Sequence, residues 1–249
     1  MKIAQHFQRR LARLTLLTAG LLLAPASAHA AGAFAVDDSE IGKPGECKVE
    51  SWVSFAGNRD LVAATSPACV FNAGIPLEIG GQLQRSRSDS AWSTSGVVKA
   101  KANLISSEGN AFGIGISGGS GWNLITGAGT GGFINVPVTI ALRDTFKINL
   151  NAGWMYDTPS KIGYFTWGTG FEWNFVKQFT LIGEVYGQDG RLATPEPDAA
   201  PSNNSVREPR TQLGLRYTPK ENVDFDVIWG RNITGENSNW VTLGVNLRF

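Results

Sequence analysis

Apolar and polar residues alternate along most of the chain from residue 46 onward, and short groups of turn-forming residues interrupt the alternation. The clearest case is 162–175, IGYFTWGTGFEWNF, in which bulky aromatic residues take most odd positions and small or polar residues take most even ones. A period of two places successive side chains on opposite faces of a β-strand. The pattern therefore predicts strands with one apolar and one polar face.

About twelve segments share this pattern, and each is close to the roughly 10 residues that a tilted membrane strand needs. The predicted segments are 46–56, 61–71, 76–86, 92–105, 110–120, 130–142, 144–156, 162–175, 178–188, 208–218, 222–231 and 238–249. Tight turns such as 72–75 are predicted to alternate with longer connections such as 120–129 and 188–208, although the first of the longer class, 57–60, is short. Short turns at one end and longer loops at the other are typical of outer-membrane barrels.

A soluble β-sandwich is the main alternative, because its strands also alternate and are also joined by regular turns. The apolar face of this chain, however, carries aromatic residues, many of them near the ends of its segments, as the aromatic girdles of membrane barrels do. The aromatic residues of this face are Trp154, Tyr156, Trp167, Trp173, Phe175, Tyr217 and Trp229. The sequence therefore favours an all-β fold, a transmembrane antiparallel up-and-down β-barrel of about 12 strands formed by residues 46–249.

The first thirty residues have the layout of a secretory signal peptide. Basic residues from Lys2 to Arg13 precede an apolar run over 14–24, and a small-x-small site follows at Ala28-His29-Ala30. The apolar run is shorter than the roughly 20 residues of a membrane-spanning helix. We therefore expect residues 1–30 to be cleaved. Residues 31–45 then remain before the first strand, either as a periplasmic segment or as a partial plug of the lumen.

Removal of residues 1–30 changes the charge and the chemistry of the chain. The removed residues contain four of the 22 Lys/Arg and none of the 21 Asp/Glu, so 18 Lys/Arg remain and the net charge becomes −3. Both histidines, His6 and His29, are also lost. A faintly acidic chain without a basic run does not suit nucleic acid. Without histidine the chain lacks the usual general base of lipid-modifying barrels and a common zinc ligand. We therefore expect no enzyme activity, no metal and no cofactor.

The polar face of the predicted strands points into the lumen and carries charges of both signs. The candidate lining residues of a solute pathway are Glu50, Glu78, Lys99, Lys101, Glu184, Arg216, Asp224 and Asp226. Such charges can line a wet pathway and set its selectivity, or they can pair into a network that fills the lumen. The number of strands favours a pathway, because barrels above about eight strands outgrow simple filling by side chains.

Cys47 and Cys69 are the two cysteines of the chain. Folding the first hairpin about Asn58 and Arg59 places them nearly opposite each other on one face. A disulfide is plausible in an exported protein, whereas a register error of one residue would leave two unpaired thiols. A cross-strand disulfide that acts as a structural link is the favoured interpretation.

Residues 34–55, FAVDDSEIGKPGECKVESWVSF, contain Asp37-Asp38, a glycine step through Gly42 and Gly45, and then Glu50 on a strand. Together with the stretches 180–188, 210–230 and 240–249, this order resembles the exported proteins called "MetA-pathway of phenol degradation" transporters. The resemblance implies an outer-membrane β-barrel that transports small solutes, sometimes aromatic or hydrophobic ones. The cysteine pair and Trp52 depart from the family pattern.

The chain ends in TLGVNLRF, 242–249, an alternating strand whose terminal Phe249 resembles the signal read by the barrel-assembly machinery. We expect the last strand to pair with the first, because a sheet edge cannot remain open in lipid. The predicted protein is a channel or transporter in the bacterial outer membrane, with outer-membrane lipid, the assembly machinery and a small solute as its partners. The alternative is a barrel with a sealed lumen that acts through the 188–208 loop.

Overall fold

The computed structural model describes residues 33–88, 91–192, 205–207, 209–233 and 239–249. The predicted signal peptide and most of the 188–208 loop lie outside these residues. The strands of the described part are β1 Cys47–Ala56, β2 Leu61–Asn72, β3 Pro76–Ser88, β4 Ala91–Ile105, β5 Phe112–Asn123, β6 Gly129–Arg143, β7 Phe146–Asp157, β8 Ile162–Val176, β9 Phe179–Leu192, β10 Ser205–Arg207, β11 Arg210–Lys220, β12 Val223–Asn232 and β13 Asn239–Arg248. None of the described residues belongs to a helix long and apolar enough to cross a membrane.

Consecutive strands pair antiparallel, except that β10 and β11 both pair with β9 and not with each other, and β13 pairs with β1. The closing register runs from Lys48 opposite Arg248 to Ala56 opposite Trp240. The short β10 pairs with the end of β9, beyond the part of β9 that pairs with β11. The described strands therefore form a closed barrel of twelve strands, in which β10 continues the line of β11 along the same edge of β9. The predicted fold is confirmed.

The alternation in sequence becomes the two faces of the barrel, because successive side chains of a strand point to opposite sides. Inward residues such as Glu78, Gln82 and Thr242 are buried, whereas outward residues such as Leu83, Val98 and Leu243 are exposed. Exposed outward aromatic residues lie near both ends of the strands. One girdle comprises Phe55, Trp92, Trp122, Trp154, Tyr156, Phe165 and Trp229, and the other comprises Phe71, Phe112, Trp173, Phe175, Tyr217 and Phe249.

The two ends of the barrel differ less in loop length than the sequence predicts. We call the end at which β1 begins the turn end, and the end at which β1 stops the loop end. The predicted loop 120–129 is wrong in extent, since β5 continues to Asn123 and β6 begins at Gly129. Backbone pairing continues through this glycine-rich stretch, for example between Gly121 and Gly131. Likewise, β9 continues to Leu192, opposite Ile162, instead of stopping at residue 188.

The first hairpin is closed covalently. Cys47 and Cys69 stand opposite each other in the β1–β2 ladder and form a disulfide. The bond joins the first residue of β1 to β2 at the turn end, and the alternation of both strands places it on the outward face. The main chain of Cys47 is also paired on its other side, with the backbone of Phe249 through two hydrogen bonds of 2.8 and 2.9 Å. The disulfide therefore lies beside the seam that closes the barrel.

Replacement of both cysteines, Cys47→Ser with Cys69→Ser, is expected to lower the temperature at which the folded barrel converts to its slower, unfolded form on a detergent gel. A disulfide that closes a loop of 22 residues stabilises a protein by about 2–4 kcal/mol. Reduced wild-type protein is the control and should behave like the double variant. An identical transition temperature for the oxidised, reduced and substituted proteins would contradict a stabilising bond.

Candidate functional site

Residues 33–46, which we call the lumen segment, follow the inner wall of the barrel over 33–41 and come out at the turn end, where 42–46 are exposed. The segment begins beside β13, where Ala33 is close to Gly244. Phe34 then packs against Ile182 and Ile228, and the guanidinium of Arg216 lies 5.3 Å from the centre of its ring. The segment ends at β1, and Gly45, with φ of +94°, makes the turn into that strand. The wall therefore surrounds a second layer of polypeptide.

Backbone groups of the lumen segment are paired with inward side chains. The N–H groups of Ala35 and Val36 donate to the two carboxylate oxygens of Glu184, at 2.9 and 3.1 Å. Asn151 makes a reciprocal pair with Asp37, accepting from its N–H at 2.9 Å and donating to its carbonyl at 2.6 Å. Because buried backbone groups need partners, these side chains act as fixed anchors for the segment.

Charged groups hold the middle of the segment. Lys101 is buried and donates to Asp37 at 2.9 Å and to Asp38 at 3.1 Å. Further along, Glu40 accepts from the side chain of Asn103 at 2.9 Å and from the backbone N–H of Ser107 at 2.6 Å. The strand β4 and the turn after it therefore supply the cation and the donors that the acidic residues of the segment require.

Glycines on the inward face make room for the segment. A Cβ on Gly168 would lie 2.8 Å from Val36 Cγ2, and one on Gly214 would lie 2.7 Å from the ring of Phe34. A Cβ on Gly113 would clash with the hydroxyl oxygen of Ser39. Larger residues at these positions would occupy the space that the segment fills. The inward glycines therefore lie along the wall where the lumen segment passes.

A cavity of about 310 Å³ remains inside the barrel at the turn end, between the lumen segment and the wall. Its charged lining carries more carboxylates than cations. These charged residues are Asp37, Asp38, Glu40, Glu46, Glu50, Glu78, Glu172, Glu184 and Asp224 against Lys48, Arg216 and Arg248. Apolar side chains such as Phe34, Val70 and Ile182 also line it. The cavity is therefore amphipathic and, by formal charge, acidic.

The eight candidate residues all lie on the inward face, but they differ in whether they line the cavity. Glu50, Glu78, Glu184, Arg216 and Asp224 line the cavity. Lys101 contacts the lumen segment.

The remaining two candidates stand apart from the main cavity in different ways. Lys99 lines a much smaller pocket beside Lys101 and Ser117. Asp226 accepts from Arg216 at 2.8 and 3.2 Å and from Asn246 at 3.0 Å. Asp226 therefore stabilises the wall rather than lining the cavity.

Several lining charges are paired with one another. Lys48 bridges Glu50 at 3.5 Å and Glu78 at 3.1 Å, and Arg248 pairs with Asp224. Buried charges are tolerated when they are paired and hydrogen-bonded. The lumen thus combines the two arrangements that the sequence leaves open, since a paired network coexists with a cavity.

The sequence pattern alone does not identify the residues of the lumen segment as part of the site. Phe34, Asp37 and Glu40 precede the first strand, in a stretch without periodicity. The one signal that could have located them is the set of glycines at inward positions, such as Gly168 and Gly170, where a filled or water-lined wall would carry larger side chains.

A family model described as "Uncharacterised conserved protein UCP029691" matches residues 18–249. The matching family is not the phenol-degradation transporters, so that more specific resemblance is not confirmed. No curated protein sequence matches the chain significantly.

Three solved structures share the fold at low sequence identity. The "COG4313 outer membrane channel from Pseudomonas putida F1" aligns with a TM-score of 0.65 and 10% identity, covering 85% of this chain and 98% of that one. "KdgM porin" gives 0.59 and 12%, covering 81% and 99%. A structure described as a "NanC porin" gives 0.60 and 8%, covering 80% and 98%. The chain therefore has the fold of outer-membrane channels and porins.

Substitution of Lys101 is expected to loosen the lumen segment. Breaking a buried ion pair costs about 3–5 kcal/mol, since the partner charges lose their compensation. With Ser39→Cys as a buried reporter, Lys101→Met should accelerate labelling by a maleimide about tenfold or more. Lys99→Met, at the next inward lysine of β4, is the matched control and should leave the rate unchanged. Equal rates in both variants would contradict the role of Lys101 as an anchor.

Proposed function

This chain belongs to the family described as "Uncharacterised conserved protein UCP029691", and we propose that it is an outer-membrane channel for small solutes whose turn-end mouth is narrowed by the lumen segment. The cavity of about 310 Å³ carries the proposal, because its polar and apolar side chains converge inside a closed barrel. This volume falls at the lower end of the roughly 300–1,000 Å³ typical of small-molecule sites.

The proposed solutes are small molecules with an apolar part and without net negative charge. Phe34, Val70 and Ile182 offer apolar contact. This agrees with the aromatic or hydrophobic solutes implied by the sequence resemblance to the phenol-degradation transporters. The excess of carboxylates over cations disfavours anions, since rings of one charge sign select against ions of that sign. The pathway needs no cofactor.

The lumen segment is proposed to act as a constriction. It occupies the space beside the wall glycines, and its ion pairs and hydrogen bonds hold it there. A solute larger than the cavity passes when the segment shifts, whereas small ions pass around it. The segment then determines the size limit of the channel.

Orientation and export complete the proposal. Cleavage after residue 30 would leave the lumen segment near the new N-terminus, and the turn end would face the periplasm, as the tight turns of outer-membrane barrels do. The barrel-assembly machinery and the lipids of the outer membrane are then its partners, with Phe249 in the assembly signal.

A second candidate is a sealed barrel that acts through its 188–208 loop. The hydrogen bonds of the lumen segment favour this alternative, since a segment that never moves closes the pathway. Conductance across a planar bilayer distinguishes the two proposals.

The wild-type protein is expected to open small, discrete channels in planar bilayers. A variant that lacks residues 33–45 should open channels of severalfold larger conductance, because the cross-section taken by the segment becomes available to ions. The gel shift on heating serves as the control for folding of the variant. The absence of conductance and of solute uptake by liposomes for both proteins would refute the channel.

The open channel is expected to prefer cations. Under a gradient of potassium chloride, the reversal potential should have the sign of cation selectivity, and Glu50→Gln with Glu172→Gln should reduce its size because two lining carboxylates are lost. Glu108→Gln, in an exposed turn, is the matched control and should have no effect. A preference for anions in the wild-type channel would contradict the proposed selectivity.

A further inference from the structure

The outward face of β3 carries two arginines where the neighbouring outward positions are apolar. Going from the turn end, the outward residues Leu77, Ile79 and Leu83 are followed by Arg85 and Arg87 near the loop end. Leu83 is exposed, as expected for a residue that contacts lipid. The strand therefore changes from an apolar to a cationic surface within a few residues.

The two arginines lie beside an exposed tryptophan of the loop-end girdle. In the β3–β4 ladder Arg87 stands opposite Trp92 and Arg85 stands opposite Thr94. Both guanidinium groups lie over the Trp92 ring, with their central carbons 4.8 Å from its centre for Arg85 and 5.6 Å for Arg87. Stacking on the indole holds two like charges close together on the outer surface of the barrel.

Neither guanidinium is neutralised by the described residues. Arg85 donates to the hydroxyl of Thr94, and Arg87 donates to the backbone carbonyl of Arg59, each at 3.0 Å. In the described part of the chain, no carboxylate lies within ion-pair distance of either arginine. A guanidinium has five N–H donors, so both side chains retain donors for an acceptor outside the protein.

We propose that Arg85, Arg87 and Trp92 form a binding site for the phosphate group of a membrane lipid in the leaflet at the loop end. Arginine pairs bidentately with phosphate, and tryptophan occupies the headgroup level of a bilayer. Outside the barrel, a phosphate at this level has its acyl chains directed along Leu83 and Val98, both of which are exposed.

The assignment to a lipid rather than to a free anion follows from the position of the site. The two arginines point away from the lumen, and the apolar surface that extends from them toward the turn end fits acyl chains. The proposal rests on the outer-membrane location given above and not on channel activity. A sealed barrel would carry the same site.

Native mass spectrometry of the detergent-solubilised full-length barrel tests the site, with lipid A as the bisphosphorylated glycolipid probe. Wild-type protein is expected to bind lipid A more tightly than dephosphorylated lipid A. The double variant R85Q/R87Q should bind lipid A about tenfold more weakly, because charge-assisted hydrogen bonds are lost. The double variant R143Q/K177Q removes the same charge at the turn end and should bind as the wild type does.

Two further arms keep the test decisive. R85K/R87K keeps the charge but loses the planar donor fork, and it should bind lipid A with an affinity between those of wild type and R85Q/R87Q. Inorganic phosphate in large excess should not displace the lipid. Wild-type affinity in R85K/R87K or R85Q/R87Q, equal binding of the dephosphorylated lipid, or displacement by inorganic phosphate would each overturn the proposal.

Discussion

The hydrogen-bonding requirement of backbone in lipid is the constraint on which this structure depends. Lipid offers no partner to an N–H or a C=O group, so a sheet in the membrane must close on itself. Here β13 meets β1 along the ladder from Lys48 to Ala56, and the backbone of Phe249 extends the pairing to Cys47. Closure fixes which face of every strand is exposed, and it thereby creates an interior that cannot be filled by apolar side chains alone.

The charged side chains inside the barrel then need partners of their own. Glu184 of β9 and Lys101 of β4 are both buried inside the barrel, where each needs a partner. The lumen segment supplies the missing partners, since its N–H groups satisfy Glu184 and its two aspartates pair with Lys101. Segment and wall are therefore complementary, in both charge and shape, and the remaining cavity is what this fit leaves open.

The strands could be predicted closely from the alternation because a period of two is a local property of the sequence. The predicted segment 162–175 corresponds to Ile162–Val176, and 46–56 corresponds to Cys47–Ala56. The closing partner of the last strand followed from the absence of open edges in lipid. The predicted loop at 120–129 was too long, since glycine-rich sequence resembles a loop yet pairs well between strands.

The path of the lumen segment could not be predicted, because its contacts join residues far apart in sequence and have no period. Ser39, for example, is held by Thr139, a hundred positions away. The inward glycines look in the sequence like ordinary small positions of a polar face. As a set they indicate that something lies against the wall, but the structure is needed to pair Gly168 with Val36 and Gly214 with Phe34.

The position of the lumen segment inside the barrel is the central claim, and disulfide trapping tests it most directly. A Cβ on Gly170 would lie 3.5 Å from the Cβ of Val36, within the range of about 3.5–4.5 Å for disulfides. Val36→Cys with Gly170→Cys should therefore cross-link spontaneously in assembled protein. Val36→Cys with Gly183→Cys, an outward-facing glycine of β9, should remain unlinked. Free thiols in the first pair would show that the segment lies elsewhere.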